Sequence, residues 1–203
     1  MNEFDRWQGR FAADHYVFGT EPNAFLASQA DLLTPGLAAL SIADGEGRNG
    51  VWLAEQGLEV TSQDFSPNAQ DKARRLAQER GVSLEFELSD LTQRHWQDQA
   101  FDVVVGIFFQ FLEPEARAQV FGNMIKTLKP GGLILIQGYG PKQLEYGTGG
   151  PKRLENLYTS QLLQDTFAHF VDLNVTEYTT EISEGPGHSG MSALVDLVGR
   201  KPV

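Results

Sequence analysis

Along most of the chain, short apolar runs alternate with segments whose apolar positions recur every three or four residues, the pattern of strands alternating with helices. After an amphipathic N-terminal stretch, Thr20 as an N-cap and Pro22 in a first turn predict a helix over 22–33. A first strand is expected over about 38–43, then a helix from about Arg48 to Gln56 that Gly57 stops. LEVTSQD, 58–64, reads as the second strand. In SPNAQDKARRLAQERG, Ser66 as N-cap, Pro67 at the first helical position and Gly81 past the end delimit a helix at both ends. SLEFELSD alternates like a strand as far as Asp90, and FDVVVGIFF, 101–109, is apolar nearly throughout, as befits a central parallel strand covered on both faces. A helix over about 114–128 is expected to stop at KPGG, 129–132, ahead of a strand in LILIQGY.

The pattern then changes. Residues 140–158 are rich in Gly, Pro and charge and predict a mobile loop, a short helix lies near TSQLLQDTF, and two long β patterns at 170–182 and 191–200 flank SEGPGHSG. The chain therefore ends in a hairpin and not in another crossover. The expected fold class is α/β, a doubly wound sheet with one antiparallel strand near its end.

Composition narrows the function. Sixteen Lys and Arg against 27 Asp and Glu leave a net charge of −11 with no basic run, which disfavours nucleic acid as a partner. The absence of cysteine excludes disulfides, thiolate metal sites and cysteine nucleophiles. Of the histidines His15, His95, His169 and His188, none pairs with another at helical spacing, so no metal site is expected. The polar start MNEFDRWQGRF and the lack of an 18-residue apolar run predict no membrane association and a cytoplasmic location, with a small molecule as partner and a monomer or homodimer as the assembly.

The chemistry centres on ALSIADGEGRNGVWLAEQG, 39–57, where Gly45, Gly47 and Gly50 give the spacing G-x-G-x-x-G between a strand and a helix. Such a turn holds an adenine-containing cofactor, and the spacing alone fits a nicotinamide dinucleotide as well as S-adenosylmethionine (SAM). Asp64, 19 residues after Gly45 at the end of the second strand, can accept two ribose hydroxyls, which again fits both. Three features favour SAM. Asp90 ends the third strand, where its carboxylate can take an adenine amino group beside the Leu91 backbone. KPGG precedes the fifth strand, and the terminal hairpin supplies an antiparallel strand that dehydrogenase folds lack. No Tyr-x-x-x-Lys pair occurs either.

EGRNGVWLAEQG followed by VTSQDFSPNAQDKA, together with YVFGTEPNAFL and the ending DLVGRKP, resembles the class I SAM-dependent methyltransferases and, among them, the tellurite-resistance and thiopurine methyltransferase-like subgroup. The resemblance implies a Rossmann-like seven-stranded sheet in the order 3-2-1-4-5-7-6 with strand 7 antiparallel. It also implies a single domain over 1–203, with an N-terminal helical cap at 1–36, a cofactor-binding core at 37–139, and a substrate loop and hairpin at 140–203. The subgroup usually carries Glu or Gly where Asp44 stands, and Ala or Ser at Gly50.

The expected cofactor contacts are Asp44, Gly45, Gly47, Arg48, Asn49, Asp64, Phe65, Asp90, Leu91, Gly106 and Phe108. The missing Cβ atoms of Gly45 and Gly47 are expected to make room for SAM, Arg48 to pair with its carboxylate, and Asn49 to tie the turn together. GIFFQF, 106–111, should line the methyl site as an apolar wall. Tyr16 and Tyr139 are expected in the lid and substrate region, and His188 is the candidate general base. The expected activity is methyl transfer to a small soft nucleophile. The alternatives are an NAD(P)-linked oxidoreductase, resting on GEGRNG, and a SAM-binding protein without catalysis.

Overall fold

The computed structural model describes residues 3–203, so Met1 and Asn2 of the expected cap lie outside the described residues. Seven strands form one sheet: β1 Ala38–Ile42, β2 Glu59–Asp64, β3 Glu85–Leu88, β4 Phe101–Ile107, β5 Leu128–Tyr139, β6 Val171–Ser183 and β7 Ser189–Arg200. Their order is β3-β2-β1-β4-β5-β7-β6. β1, β2 and β3 pair in parallel, as do β4 and β5, whereas β7 is antiparallel to both β5 and β6. The class, order and strand direction are those the sequence predicts.

The chain divides into two compact units. The first comprises residues up to Arg94 together with Glu184–Gly187. It contains β1–β3 and the helices α1 Glu3–Phe11, α2 Ala24–Ala27, α3 Arg48–Glu55 and α4 Pro67–Arg80. α4 forms where local signals agree: the Ser66 hydroxyl accepts from the Ala69 amide, Pro67 opens the first turn, and Gly81, at φ +70°, turns its amide back to the last carbonyls. α2 differs from expectation. It is only one turn long, and its N-cap is Asn23 in place of Thr20, because the Asn23 side chain accepts from the Leu26 amide; a separate 3-10 turn follows at Ala30–Leu32. The interior is filled by Leu26, Leu40, Ile42, Leu53 and Val60, all at most 4% exposed.

The second unit comprises His95–Ser183 and His188–Val203. It holds β4–β7 with α5 Pro114–Thr127, α6 Gln143–Tyr146 and α7 Ser160–Thr166. Val103, Val104, Ile134, Val195 and Leu197 are fully buried in its sheet. α5 passes directly into β5, and KPGG lies within the bounds of that strand as an irregular stretch, with the pairing to β4 jumping from Leu128 to Leu133 and Gly131 at φ +74°. Lys201 explains this, since it exchanges backbone bonds with Gly131 and Gly132 and its Nζ donates to the Ile125 and Leu128 carbonyls. The segment 140–158 is more structured than a loop. Gln143 accepts from the Ala193 amide and donates to Thr148, pinning α6 to β7, and Tyr158 is fully buried against Phe121 and Phe109.

Candidate functional site

In the first unit the glycine turn after β1 is closed on itself. Ala43, a non-glycine residue at φ +46°, starts it in the left-handed region, and Gly45 and Gly47 continue there at +59° and +88°. Gln63 anchors this bend: its side chain accepts from the Ala43 amide at 2.9 Å, and its carbonyl accepts from Asp44 N at 2.9 Å. The Asp64 carboxylate at the end of β2 accepts from Gly45 N at 2.9 Å and Ser66 N at 2.8 Å. It is 3% exposed, and burial raises its pKa to about 6 against those two bonds, with nearby Asp44 adding to the rise.

Several expected cofactor residues also make contacts within the protein itself. The Asp44 carboxylate turns inward, accepting from Ser41 Oγ and Ser62 Oγ at 2.7 Å each and from Gly50 N at 3.1 Å, and burial pushes its pKa up despite these bonds. It is a strut of the turn. A Cβ on Gly47 would lie 2.5 Å from the Ala73 Cβ of α4, and one on Gly106 would lie 2.6 Å from the Phe109 ring. Both glycines are therefore tightly packed against protein. At Gly45 the nearest atom to such a Cβ is in the Phe11 ring at 3.5 Å. Asn49 Oδ1 accepts from Asn23 N at 2.9 Å, linking the start of α3 to the N-terminal segment. Asp90 is exposed, its Oδ1 capping the Thr92 amide and hydroxyl at 2.8 Å each, while Leu91 is buried.

An N-terminal cap lies over this turn. Phe4 of α1 meets Phe65 edge-on at 5.8 Å, and Gln8 Oε1 accepts from the Ser66 hydroxyl. Glu46, between the two glycines, accepts from Val17 N at 2.8 Å and Phe18 N at 3.2 Å, and its other oxygen pairs with the buried Lys72 ammonium at 2.7 Å. Tyr16 is fastened by its hydroxyl to the Lys72 carbonyl and packs beside Val51 and Leu76, so its phenol serves the cap. The role of Glu46 was not visible in the sequence, where it is only the variable position of a glycine motif.

The second unit gathers the other candidates. Phe108, at φ +55° just beyond β4, has its ring centroid 4.7 Å from that of Tyr139 and 4.4 Å from that of His188, and Tyr139 and His188 lie 5.9 Å apart. Leu157, Leu194, Tyr178 and Ile182 complete this cluster. Gln110 fixes it: its side chain donates to the Tyr139 carbonyl at 2.9 Å and accepts from the Tyr139 amide. Nearby, Gln137 donates to Asp196 at 2.6 Å and to the Tyr178 hydroxyl at 3.1 Å, and burial raises the Asp196 pKa to about 6. Among the described residues no group of three or more His, Asp or Glu is placed to hold a metal ion, and no helix is long and apolar enough to cross a membrane.

A Rossmann-like sheet of this order, with a glycine turn after β1 and an acidic residue ending β2, is the fold of solved SAM-dependent methyltransferases of class I. Comparison with known proteins agrees. Residues 39–132 match the family described as a methyltransferase domain. Over 108 residues, 53% of this chain, the sequence is 33% identical to phosphoethanolamine N-methyltransferase 1 of Arabidopsis thaliana, a stretch that is 22% of that protein. The chain spans less than half the length of such curated relatives. Its fold matches that of a protein solved in work on the conversion of a disulfide bond into a thioacetal group during echinomycin biosynthesis, with a TM-score of 0.77, 18% identity, and 99% and 93% of the two chains covered. It also matches the N-methyltransferase NodS from Bradyrhizobium japonicum WM9 in complex with S-adenosylhomocysteine (SAH), with a TM-score of 0.72, 16% identity and 100% of both chains. TehB from Haemophilus influenzae matches with a TM-score of 0.70, 17% identity, and 98% and 66% covered. The cofactor of this class is SAM.

Proposed function

We propose that this chain transfers the sulfonium methyl group of SAM to a small-molecule soft nucleophile: a thiol, a selenium or tellurium oxyanion, or a thiopurine-like compound. The observation that carries the acceptor class is the Phe108, Tyr139 and His188 cluster, a wall of ring surfaces with no carboxylate among its members. Ring surfaces suit a polarizable sulfur-like centre. A sulfonium methyl is already activated, so the protein need only align the acceptor, exclude water and take up any proton released. His188 is the group suited to that last step. On the cofactor side, Asp64 accepts the ribose hydroxyls, Asp90 and the Leu91 backbone hold the adenine, and Arg48 takes the carboxylate. A second reading, methylation of a small amine, is favoured by the similarity to phosphoethanolamine N-methyltransferase 1.

The test is calorimetric titration with SAM and NADH, followed by release of SAH across a panel of thiols, metalloid anions and phosphoethanolamine. SAM binding with turnover on thiols or metalloids is expected. NADH binding in place of SAM would make the chain an oxidoreductase. Turnover on phosphoethanolamine alone would establish the amine reading, and SAM binding without turnover on any acceptor would leave a non-catalytic binder.

A further inference from the structure

The tip of the terminal hairpin, Glu184–Gly187, packs with the first unit as a strap across the segment that covers the glycine turn. The Glu184 carboxylate accepts from Asn23 Nδ2 at 3.0 Å, from Ala24 N at 2.9 Å and from Arg48 Nη2 at 2.8 Å. The ion pair is buried, with its side chains 6% and 10% exposed. Gly187 N donates to the Val17 carbonyl at 2.7 Å. The fit leaves no slack: a Cβ on Gly185 would lie 2.4 Å from Gly19 N, and one on Gly187 would lie 2.6 Å from the Phe18 ring. The segment under the strap is itself fastened to the turn, through Val17 and Phe18 on Glu46 and through Asn23 on Asn49.

Residues 44–50 are all buried, as is the Asp64 carboxylate. Arg48 Nη1 is buried and makes no hydrogen bond, while Nη2 is held by Glu184. An arginine divided in this way presents one half of its fork to an incoming carboxylate and is anchored by the other.

We propose that Glu184 is the latch of a cofactor gate. The strap holds residues 17–24 shut over the turn, and entry of SAM and departure of SAH each require Glu184 to release Asn23, Ala24 and Arg48. The gate rests on the SAM reading above and adds to it a step that sets the rate of exchange at that site. A latch of this kind raises the barrier in both directions and leaves the equilibrium largely unaltered.

The experiment is stopped-flow binding of SAH to the full chain, wild type against Glu184→Ala and Glu184→Gln, with amide hydrogen exchange over residues 15–24 of the unliganded proteins. Glu184→Ala is expected to speed both association and dissociation at least about tenfold, to change Kd less than about threefold, and to accelerate exchange across the covering segment. Glu184→Gln retains acceptor geometry without the charge, so it is expected to fall between the two, and it decides the matter if the alanine variant does not fold. Rates that rise less than tenfold in Glu184→Ala, or weaker binding with unchanged association, would overturn the gate while leaving the cofactor reading standing. Failure of the wild-type chain to bind SAH would overturn both.

Discussion

Cofactor binding should expel a proton from Asp64, and the burial of that carboxyl sets the sign of the effect. The carboxyl is 3% exposed and holds two backbone amides, yet burial still raises its pKa from 3.8 to about 6. Because the folded value lies above the unfolded one, the stability this group contributes is fully present below about pH 4. It is lost as pH rises through about 6, a difference of about 3 kcal/mol for the unliganded fold. Two ribose hydroxyls donating to the carboxylate favour its charged form and pull the pKa down again. SAH binding should therefore release about half a proton per molecule at pH 6 and almost none at pH 8, with affinity rising through pH 6 and level by about pH 8. Titration calorimetry at pH 6 in two buffers of different ionisation enthalpy measures this directly. Asp64→Asn should abolish the buffer dependence, which separates Asp64 from Asp196, the other carboxyl raised to about 6. Equal heats in both buffers for the wild type, or affinity that falls as pH rises, would refute the placement of ribose on Asp64.

Asp64→Ala should weaken SAH binding by roughly 2–4 kcal/mol, read by the same calorimetry, and Asp90→Ala by less. Gly47→Val should lower thermal stability by about 3 kcal/mol or more, since the branch meets Ala73 at a backbone φ of +88°, and a variant with unchanged Tm would contradict the packing described. Gly50→Ala should be destabilising alone and tolerated in the Asp44→Gly background, so a thermal double-mutant cycle should give a coupling of about 1 kcal/mol or more. His188→Ala should reduce turnover at least about tenfold, about 1.4 kcal/mol of barrier, with SAH affinity little changed; full activity would leave the hairpin as a cover only.

The parts of the fold legible in the sequence are those where local chemistry and tertiary packing agree. Ser66, Pro67 and Gly81 delimit α4 without help from elsewhere, and the apolar run of β4 reads as a covered central strand because it is one. Legibility fails where a distant residue decides. Asn23 outcompetes Thr20 as a cap because its backbone amide is claimed by Asn49 and its side chain by Glu184. KPGG joins β5 because Lys201 holds it there. The same holds for the site. Asp64 could be placed from strand position alone, but the inward turn of Asp44 depends on the left-handed Ala43 before it, a conformation no alanine advertises. Glu184 stands 136 residues from the arginine it pairs with, and no sequence spacing reveals that.

The Asp44 and Gly50 pair also accounts for why the glycine spacing imitates a dinucleotide fingerprint. Gly50 lies in α3 with ordinary helical geometry, so its backbone does not demand glycine. What demands it is Asp44: a Cβ at position 50 would lie 2.3 Å from Asp44 Oδ2, and the Gly50 amide donates to both oxygens of that carboxylate. An aspartate that turns inward to bind Ser41, Ser62 and the start of α3 occupies the space an alanine or serine methylene would fill. The third glycine is thus the steric complement of a buried acid and says nothing about a pyrophosphate. In a dinucleotide site the glycines are required by the approach of the cofactor and by helix packing on the strand. Here the third is required by a side chain one turn away, so two substitutions that look independent in sequence form one structural unit. The distinction between the two cofactor classes consequently lies in β3, β7 and the hairpin, and not in the motif that first suggests a cofactor at all.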